Sequence, residues 1–331
     1  MKVYLCNEFK SDINHISHRL YRDLVSLYYL MGIDVVTSNE QNFDFAHFVD
    51  MSKKNEIIYV KERLKKKVIV NYFVNKKLTR TDGISDIVIS FEEKRVLNRV
   101  DLVIVSCQAD KMILIANEIK TPIEIMTPPI KEERFTNISE LEKNSFYQYA
   151  GIVKNEQFAL SVVNLKNYQD VFDLVELAKK LSDLRFFVFG PKIKIRTAGR
   201  IKKLIKTAPR NFIYKSYLNE DLFKSAMLHS KFFIVTRETE GELLTILEAM
   251  ITKTQIFTFN THLTGDVLID NINCILSINA EDMGNQITKY LDNNISTTEE
   301  AYLFAKECDY SKCSLQLKSI LETYIGFNKK N

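Results

Sequence analysis

The sequence predicts an α/β protein of two successive domains, each a parallel sheet covered by helices, with a ligand cleft between them. Three observations carry this. Short runs rich in Val, Ile, Phe and Tyr alternate with longer segments whose apolar residues recur at helical spacing, the rhythm of a parallel sheet. That rhythm pauses once, near 140–155, and then restarts. The chain has 331 residues, more than the roughly 100–200 of a usual single domain.

In the first half, "KVYLC" (2–6) reads as a buried strand. "HISHRLYRDLVSLYYLMGI" is a helix that stops at Gly32, a residue suited to a C-cap. "DVVTS", "FDFAHFV", "KKVIVNYF" and "DIVIS" are the next four strands, "VDLVIVS" (100–106) the sixth and "PIEIM" (122–126) the seventh. The helical patterns "KNEIIYVKERLKK" and "ADKMILIANEI" lie between some of them. After "TPPIKEERF" (127–135) comes the polar stretch "TNISELEKNSFYQYAGIVKNE", which lacks a strong period and marks the junction. In the second half, strands "QFALSVV", "LRFFVFG", "NFIYKSY" and "KFFIVT" alternate with helices "NYQDVFDLVELAKKL", "GRIKKLIKT", "EDLFKSAMLHS" and "GELLTILEAMIT". Strands "QIFTF" and "NCILSI" follow, and two helical patterns, "TTEEAYLFAKEC" and "SKCSLQLKSILETYI", close the chain. The expected division is 1–145, 150–305, and a final helical segment 306–331 that crosses back to the first domain.

Composition narrows the function classes. Hydrophobic residues make up 46% and charged residues 27%, with a formal net charge of +4, the profile of an ordinary globular chain. No apolar run approaches the roughly 20 residues of a membrane span, and "MKVYLC" followed by "NEFKSDIN" does not read as a signal peptide. The five cysteines are scattered without a C-x-x-C pair, which argues for free thiols in a cytoplasmic setting and against zinc. No nucleic-acid recognition module is present, and the absence of G-x-G-x-x-G argues against a dinucleotide dehydrogenase.

The most informative stretch is "IVTRETEGELLTILEAM" (234–250). A buried strand hands over to an apolar-periodic helix through Glu238, Glu240, Gly241 and Glu242, and Glu248 follows two turns into the helix. Capping explains part of this. Ligand binding explains more, because carboxyl ends of strands in a doubly wound sheet are where ligands sit. A helix N-terminus there offers free N–H groups and partial positive charge to a diphosphate.

The order strand, E-x-x-x-x-x-x-x-E, helix, late in a second Rossmann-like domain, resembles the retaining glycosyltransferases of family 4, which have the two-domain GT-B fold. Gly241 after the first Glu and the "LEAM" ending add to the resemblance. So do "VFDLVELAKKLSDLRFFVFG", "NFIYKSYLNEDLFKSAMLHSKFFIVTRETEG", "RVDLVIVSCQADKMIL" and "IMTPPIKEERF". The flavour is that of small bacterial enzymes that glucosylate diacylglycerol lipids. The resemblance implies Glu240 on the donor-sugar hydroxyls as the catalytic position and Glu248 on the ribose. It places Gly241, Glu242, Leu243 and Leu244 near the phosphates, and Tyr214 and Lys215 in the base-binding region. It also implies front-face retaining transfer in which the leaving diphosphate takes the acceptor proton. No cofactor is then expected beyond the UDP-linked sugar substrate. With no D-x-D pair in the sequence, no metal is expected either.

Three places depart from the family pattern. The first-domain loop "NEFKSDINHISHRL" has no glycine, although Asn14, His15 and Ser17 could donate hydrogen bonds to the donor. Asn71 or Phe73 stands where many relatives carry a His. Tyr168 and Gln169, followed by Asp170, stand where an Arg and a Lys usually neutralise the diphosphate. Loss of one such group costs roughly 2.7–4 kcal/mol in barrier, so Lys166, Arg237 or Lys215 would have to compensate. Two basic stretches, 60–68 and 191–206, have two readings, solvated faces or docking to an anionic membrane surface at the inner face of the membrane. Lys202, Lys203 and Lys206 alternate there with Ile201, Leu204 and Ile205 as in an interfacial helix.

Two functions stand after this reading. One is a metal-independent retaining hexosyltransferase acting on a lipid or membrane-proximal glycan. The other is a catalytically inactive relative serving as partner or chaperone of an active transferase. An epimerase of the same fold would need acids and bases that the sequence does not display.

Overall fold

The computed structural model describes residues 1–6, 16–74, 87–154, 156–165, 167–194, 197–216, 218–236, 242–261, 263–293 and 296–327. They form two compact units, Met1–Pro129 with Cys308–Asn331, and Ile130–Glu307.

The first unit is one six-stranded parallel sheet of β1 (Lys2–Cys6), β2 (Asp34–Val36), β3 (Phe45–Phe48), β4 (Lys67–Asn71), β5 (Leu102–Val105) and β6 (Ile123–Ile125), in the order β2-β1-β3-β4-β5-β6. β3 and β5 are buried at every position, as a sheet covered on both faces requires. Each face packs its own apolar layer. One includes Ile57 and Val60 of α2 (Lys54–Glu62) and Ile113 and Leu114 of α4 (Gln108–Ala116). The other includes Leu24 and Leu27 of α1 (Ile16–Leu30) with Leu317 and Leu321 of α14 (Tyr310–Tyr324). Thus the C-terminal helix completes the first sheet, tied by Tyr310 to Asp23, by Gln316 to the Ile125 carbonyl and by Tyr324 to Glu124.

One expected strand is absent. Residues 87–90 of "DIVIS" bury Ile87 and Ile89 and expose Val88, the alternation of a strand, but pair with no sheet neighbour. The Asn117 side chain takes the ladder's place, accepting from the Ile89 amide at 2.9 Å and donating to the Ile87 carbonyl at 2.6 Å. Ser90 then opens α3 (Phe91–Leu97) with a capping box to Glu93.

The second unit is also a six-stranded parallel sheet: β7 (Phe158–Val162), β8 (Arg185–Gly190), β9 (Phe212–Ser216), β10 (Phe232–Val235), β11 (Gln255–Phe259) and β12 (Ile275–Ser277), ordered β12-β11-β10-β7-β8-β9. The junction falls at Pro129/Ile130, so residues 130–145, expected in the first domain, belong here. The polar stretch folds as α5 (Glu133–Thr136), α6 (Glu140–Lys143) and α7 (Ser145–Ala150), the second opened by a Ser139–Glu142 capping box. Phe146 of α7 plugs into Phe158, Phe187 and Phe189 of the sheet. Its amide donates to Ser225, whose hydroxyl donates to the Lys143 carbonyl. Hydrophobic periodicity was too short here to see, because each helix is only one or two turns.

α12 (Ala280–Asn293) was not anticipated either. It buries Met283, Ile287 and Tyr290, and Gly284 leaves room for the Lys180 stem, whose Cδ would lie 2.5 Å from an added Cβ. Lys180 comes from α8 (Tyr168–Lys180) and reaches Asn285 at 2.7 Å.

His47 at the centre of the first sheet is fully buried between the Tyr28 hydroxyl on Nδ1 (2.7 Å) and Asn71 Oδ1 on Nε2 (3.1 Å). Asn71 Oδ1 can only accept, so Nε2 carries the proton and Nδ1 accepts from Tyr28. Burial disfavours the cation and lowers the imidazole pKa from 6.5 to about 4. The fold therefore prefers neutral His47: its contribution is complete above pH 6.5 and is lost as pH falls toward about 4. By linkage the loss amounts to about 3 kcal/mol. Histidine NMR should show His47 titrating near 4, whereas an exposed ring titrates at ~6.5. A midpoint near 6.5 would contradict the assigned network.

Candidate functional site

In a doubly wound sheet the ligand crevice opens where two adjacent strands send their connections to opposite sides. In the second unit those strands are β7 and β10, paired in parallel through Ala159–Phe232, Leu160–Phe233 and Ser161–Ile234. The buried Ser161 hydroxyl donates to the Ile234 carbonyl at 2.8 Å and locks the pair. Two helices begin beyond their carboxyl ends, α8 after β7 and α11 (Glu242–Ile251) after β10.

α11 is buried along almost its whole length, with Ile246, Leu247, Ala249 and Met250 at 0% exposure. The Leu243 and Leu244 side chains are buried too. Within this apolar helix stands Glu248, 1% exposed. A buried carboxylate is costly unless compensated. Here the cation is Arg134 of α5, whose Nη1 lies 3.4 Å from Glu248 Oε1 while Nη2 donates to Glu220 Oε1 at 2.7 Å. Glu220 opens α10 (Glu220–His229) and is also 3.5 Å from Lys224. Arg134 lies inside "PPIKEERF", but its partners are far along the chain, and nothing local in the sequence points to them.

The α8 end differs from what the sequence suggested. Tyr168 stacks on Phe172 with centroids 5.9 Å apart, and the guanidinium of Arg200 sits 4.9 Å from the Tyr168 ring centre. Arg200 belongs to α9 (Gly199–Lys206). Gln169 donates to Asp173 at 2.9 Å, its amide is capped by Asn167, and Asp170 is wholly buried. Both positions where the family carries cations are thus engaged with their own helix. Arg200 brings a cation to the same helix end, a juxtaposition that the sequence did not disclose.

Of the other candidates, Tyr214 donates to the Pro191 carbonyl at 2.6 Å and braces the end of β8, and Lys215 is exposed on β9. Asn71 is buried with its carbonyl committed to His47. Glu240, Gly241, Arg237, Lys166, Asn14 and His15 lie outside the described residues, as do the side chains of Glu242 and Ser17. The first unit has its own crevice at β1 and β3. There Glu56 accepts from Tyr4, from Asn39 at 2.9 Å and pairs with Lys53 at 3.2 Å. An open cavity of about 450 Å³ lies beside it, lined by Ser52, Lys53, Lys54, Asn55, Glu56 and Glu92. Among the described residues no cluster of metal-ligating side chains occurs, and no helix is long and apolar enough to cross a membrane.

The basic stretches separate on structural grounds. In 60–68, Lys61 pairs with Asp101 at 2.6 Å, Lys66 covers Phe43 and Lys67 donates to the Tyr324 carbonyl. These cations hold the first unit together. In 191–206, Lys192, Lys194, Arg200, Lys203 and Lys206 are exposed. Ile201 is buried and Leu204 and Ile205 pack on the sheet, so the apolar side of α9 faces the core and not an outside surface.

Two six-stranded parallel sheets, each packed with helices, make the GT-B fold. Residues 143–306, within the second unit, match the family model of glycosyl transferases group 1. A processive diacylglycerol alpha-glucosyltransferase from Acholeplasma laidlawii is 23% identical over 307 residues, covering 90% of this chain and 91% of that protein. The Anabaena protein HepE, solved with UDP-glucose, matches with a TM-score of 0.74 at 12% identity, over 98% of this chain and 100% of that one. WaaG, a glycosyltransferase involved in lipopolysaccharide biosynthesis, matches at 0.63 and 14% identity, over 98% and 100% of the two chains.

The end of β8 offers a direct test of this packing. A Cβ on Gly190 would lie 2.6 Å from the Tyr214 hydroxyl and 2.7 Å from the Val163 carbonyl oxygen, and the Val163 backbone is itself held by Phe189. Gly190→Ala should cost about 1–3 kcal/mol in urea unfolding, and Tyr214→Phe about 1 kcal/mol. An unchanged midpoint for Gly190→Ala would show that the β8 end is free to open.

Proposed function

We propose that the chain transfers a hexosyl group from a UDP-linked sugar, with retention, to a lipid or membrane-proximal glycan. The observation that carries the reading is the start of α11 at the β7/β10 switch point of a group 1 glycosyltransferase domain, with Glu248 two turns inside. Backbone N–H groups at Gly241, Glu242, Leu243 and Leu244 take the diphosphate. Glu240 holds the sugar hydroxyls and Glu248 the ribose, and Tyr214 and Lys215 flank the base. The departing diphosphate accepts the acceptor's proton, so no protein nucleophile and no metal are used. Its charge falls to Lys166, Arg237 or Lys215. The acceptor belongs to the first unit, near Glu56 and Lys53. The relatives that act on diacylglycerol and in lipopolysaccharide synthesis support a lipid-linked acceptor.

A second reading has its own support. Tyr168 and Gln169 are tied into α8, where the resemblance asks for free cations. A chain that keeps the donor helix without them would bind a nucleotide sugar and serve as partner to an active transferase.

Calorimetry with UDP-glucose followed by assay of transfer to diacylglycerol separates these. The enzyme reading expects binding, turnover, and a loss of roughly 100-fold or more in Glu240→Ala, the scale of one missing transition-state contact. Binding without turnover selects the partner reading, and no signal at millimolar UDP-glucose or UDP rejects the donor site.

The exposed cations of 191–206 support peripheral attachment to the inner face of a membrane, each worth about 1 kcal/mol near an anionic surface. Sedimentation with phosphatidylglycerol vesicles should fall in Lys203→Glu/Lys206→Glu. It should also fall at about 1 M salt, where the screening length is about 3 Å. Retention unaffected by both changes would exclude this face.

A further inference from the structure

We infer that Arg134 is a positioning residue for nucleotide-ribose recognition, acting through Glu248; the inference rests on the donor reading above. Glu248 is 1% exposed on a helix that is otherwise apolar around it. The orientation of its carboxylate therefore depends on what it meets inside the unit, because solvent does not set it. Among the groups it meets is a guanidinium that bridges two helices, Nη1 to Glu248 of α11 at 3.4 Å and Nη2 to Glu220 of α10 at 2.7 Å. The Arg134 side chain keeps only 21% of its exposure.

The geometry of the fork matters as much as its charge. A guanidinium is planar with donors at fixed angles, so anchoring one edge on Glu220 fixes the direction in which the other meets Glu248. A lysine would supply a point charge without that direction. A carboxylate has about four acceptor positions, so pairing with Arg134 leaves Glu248 able to accept ribose hydroxyls. Arg134 itself need not touch the nucleotide. It sits on the short α5 near the start of the second unit, which explains why the E-x-x-x-x-x-x-x-E pattern gives no sign of it.

The test compares calorimetric binding of UDP, 2′-deoxy-UDP and 3′-deoxy-UDP by the full chain carrying Glu248→Gln, Arg134→Lys, Arg134→Gln or Arg134→Lys/Glu248→Gln, with melting curves alongside. Wild type should prefer UDP over at least one deoxy analogue by roughly 10–100-fold, the scale of a hydrogen bond to a charged group. Glu248→Gln should largely abolish that preference. Arg134→Lys should abolish it too while melting near wild type, and the double variant should lose nothing further, the signature of coupled residues. A merely structural Arg134 would lower the melting temperature and weaken all three nucleotides alike with the ratio unchanged, and that result overturns the inference. So does a wild type that binds UDP without distinguishing the deoxy analogues. If wild type fails to bind UDP at all, the donor reading itself fails and the inference falls with it. Should Arg134→Gln unfold, Arg134→Lys carries the decision, because it keeps the charge that the buried carboxylate needs.

Discussion

Two neighbouring strands whose connections leave in opposite directions cannot both be closed over at their carboxyl ends, and in the second unit those strands are β7 and β10. Everything in the candidate site hangs on that gap. It lies where α8 follows β7 and α11 follows β10, the place where a doubly wound sheet binds ligands. The inner strands of the sheet beneath are buried, with Phe232, Phe257 and Tyr290 packed edge to face. Phe146, Phe158 and Phe187 form a second aromatic group in the same unit.

The electrostatics of the gap are unequal. On the α11 side a buried carboxylate is compensated by a cation brought from α5, and the same cation anchors α10. A removed partner there leaves a buried charge, which is why such pairs are costly to break even when their net contribution is small. On the α8 side the positions that would carry cations in the family hold Tyr168 and Gln169. An arginine from α9 lies over the tyrosine ring. Cation–π contact with an exposed Arg200 is worth about 0.5–1 kcal/mol.

Charge runs in a sequence look alike until their surroundings are known. Both basic stretches contain several lysines, yet in 60–68 Lys61, Lys66 and Lys67 are spent on Asp101, Phe43 and the end of α14. In 191–206, Ile201, Leu204 and Ile205 pack inward while Lys192, Lys194, Lys203 and Lys206 are exposed.

The sequence by itself determined the two parallel sheets, nearly all their strands, and the strand-to-helix step that holds Glu248. Each of those rests on periodicity within a few residues. Where the signal was shorter or mimicked, it misled: residues 87–90 alternate like a strand but are satisfied by Asn117. The helices of 133–150 were too short to show a period. Tertiary structure alone decided the unit boundary at Pro129, the occupation of Asn71 by His47, and the meeting of Arg134 with Glu248 and of Arg200 with Tyr168. The physical reason is common to all four. Burial and charge compensation are settled between groups distant in sequence, and no local pattern records which of the many available partners the fold will bring near.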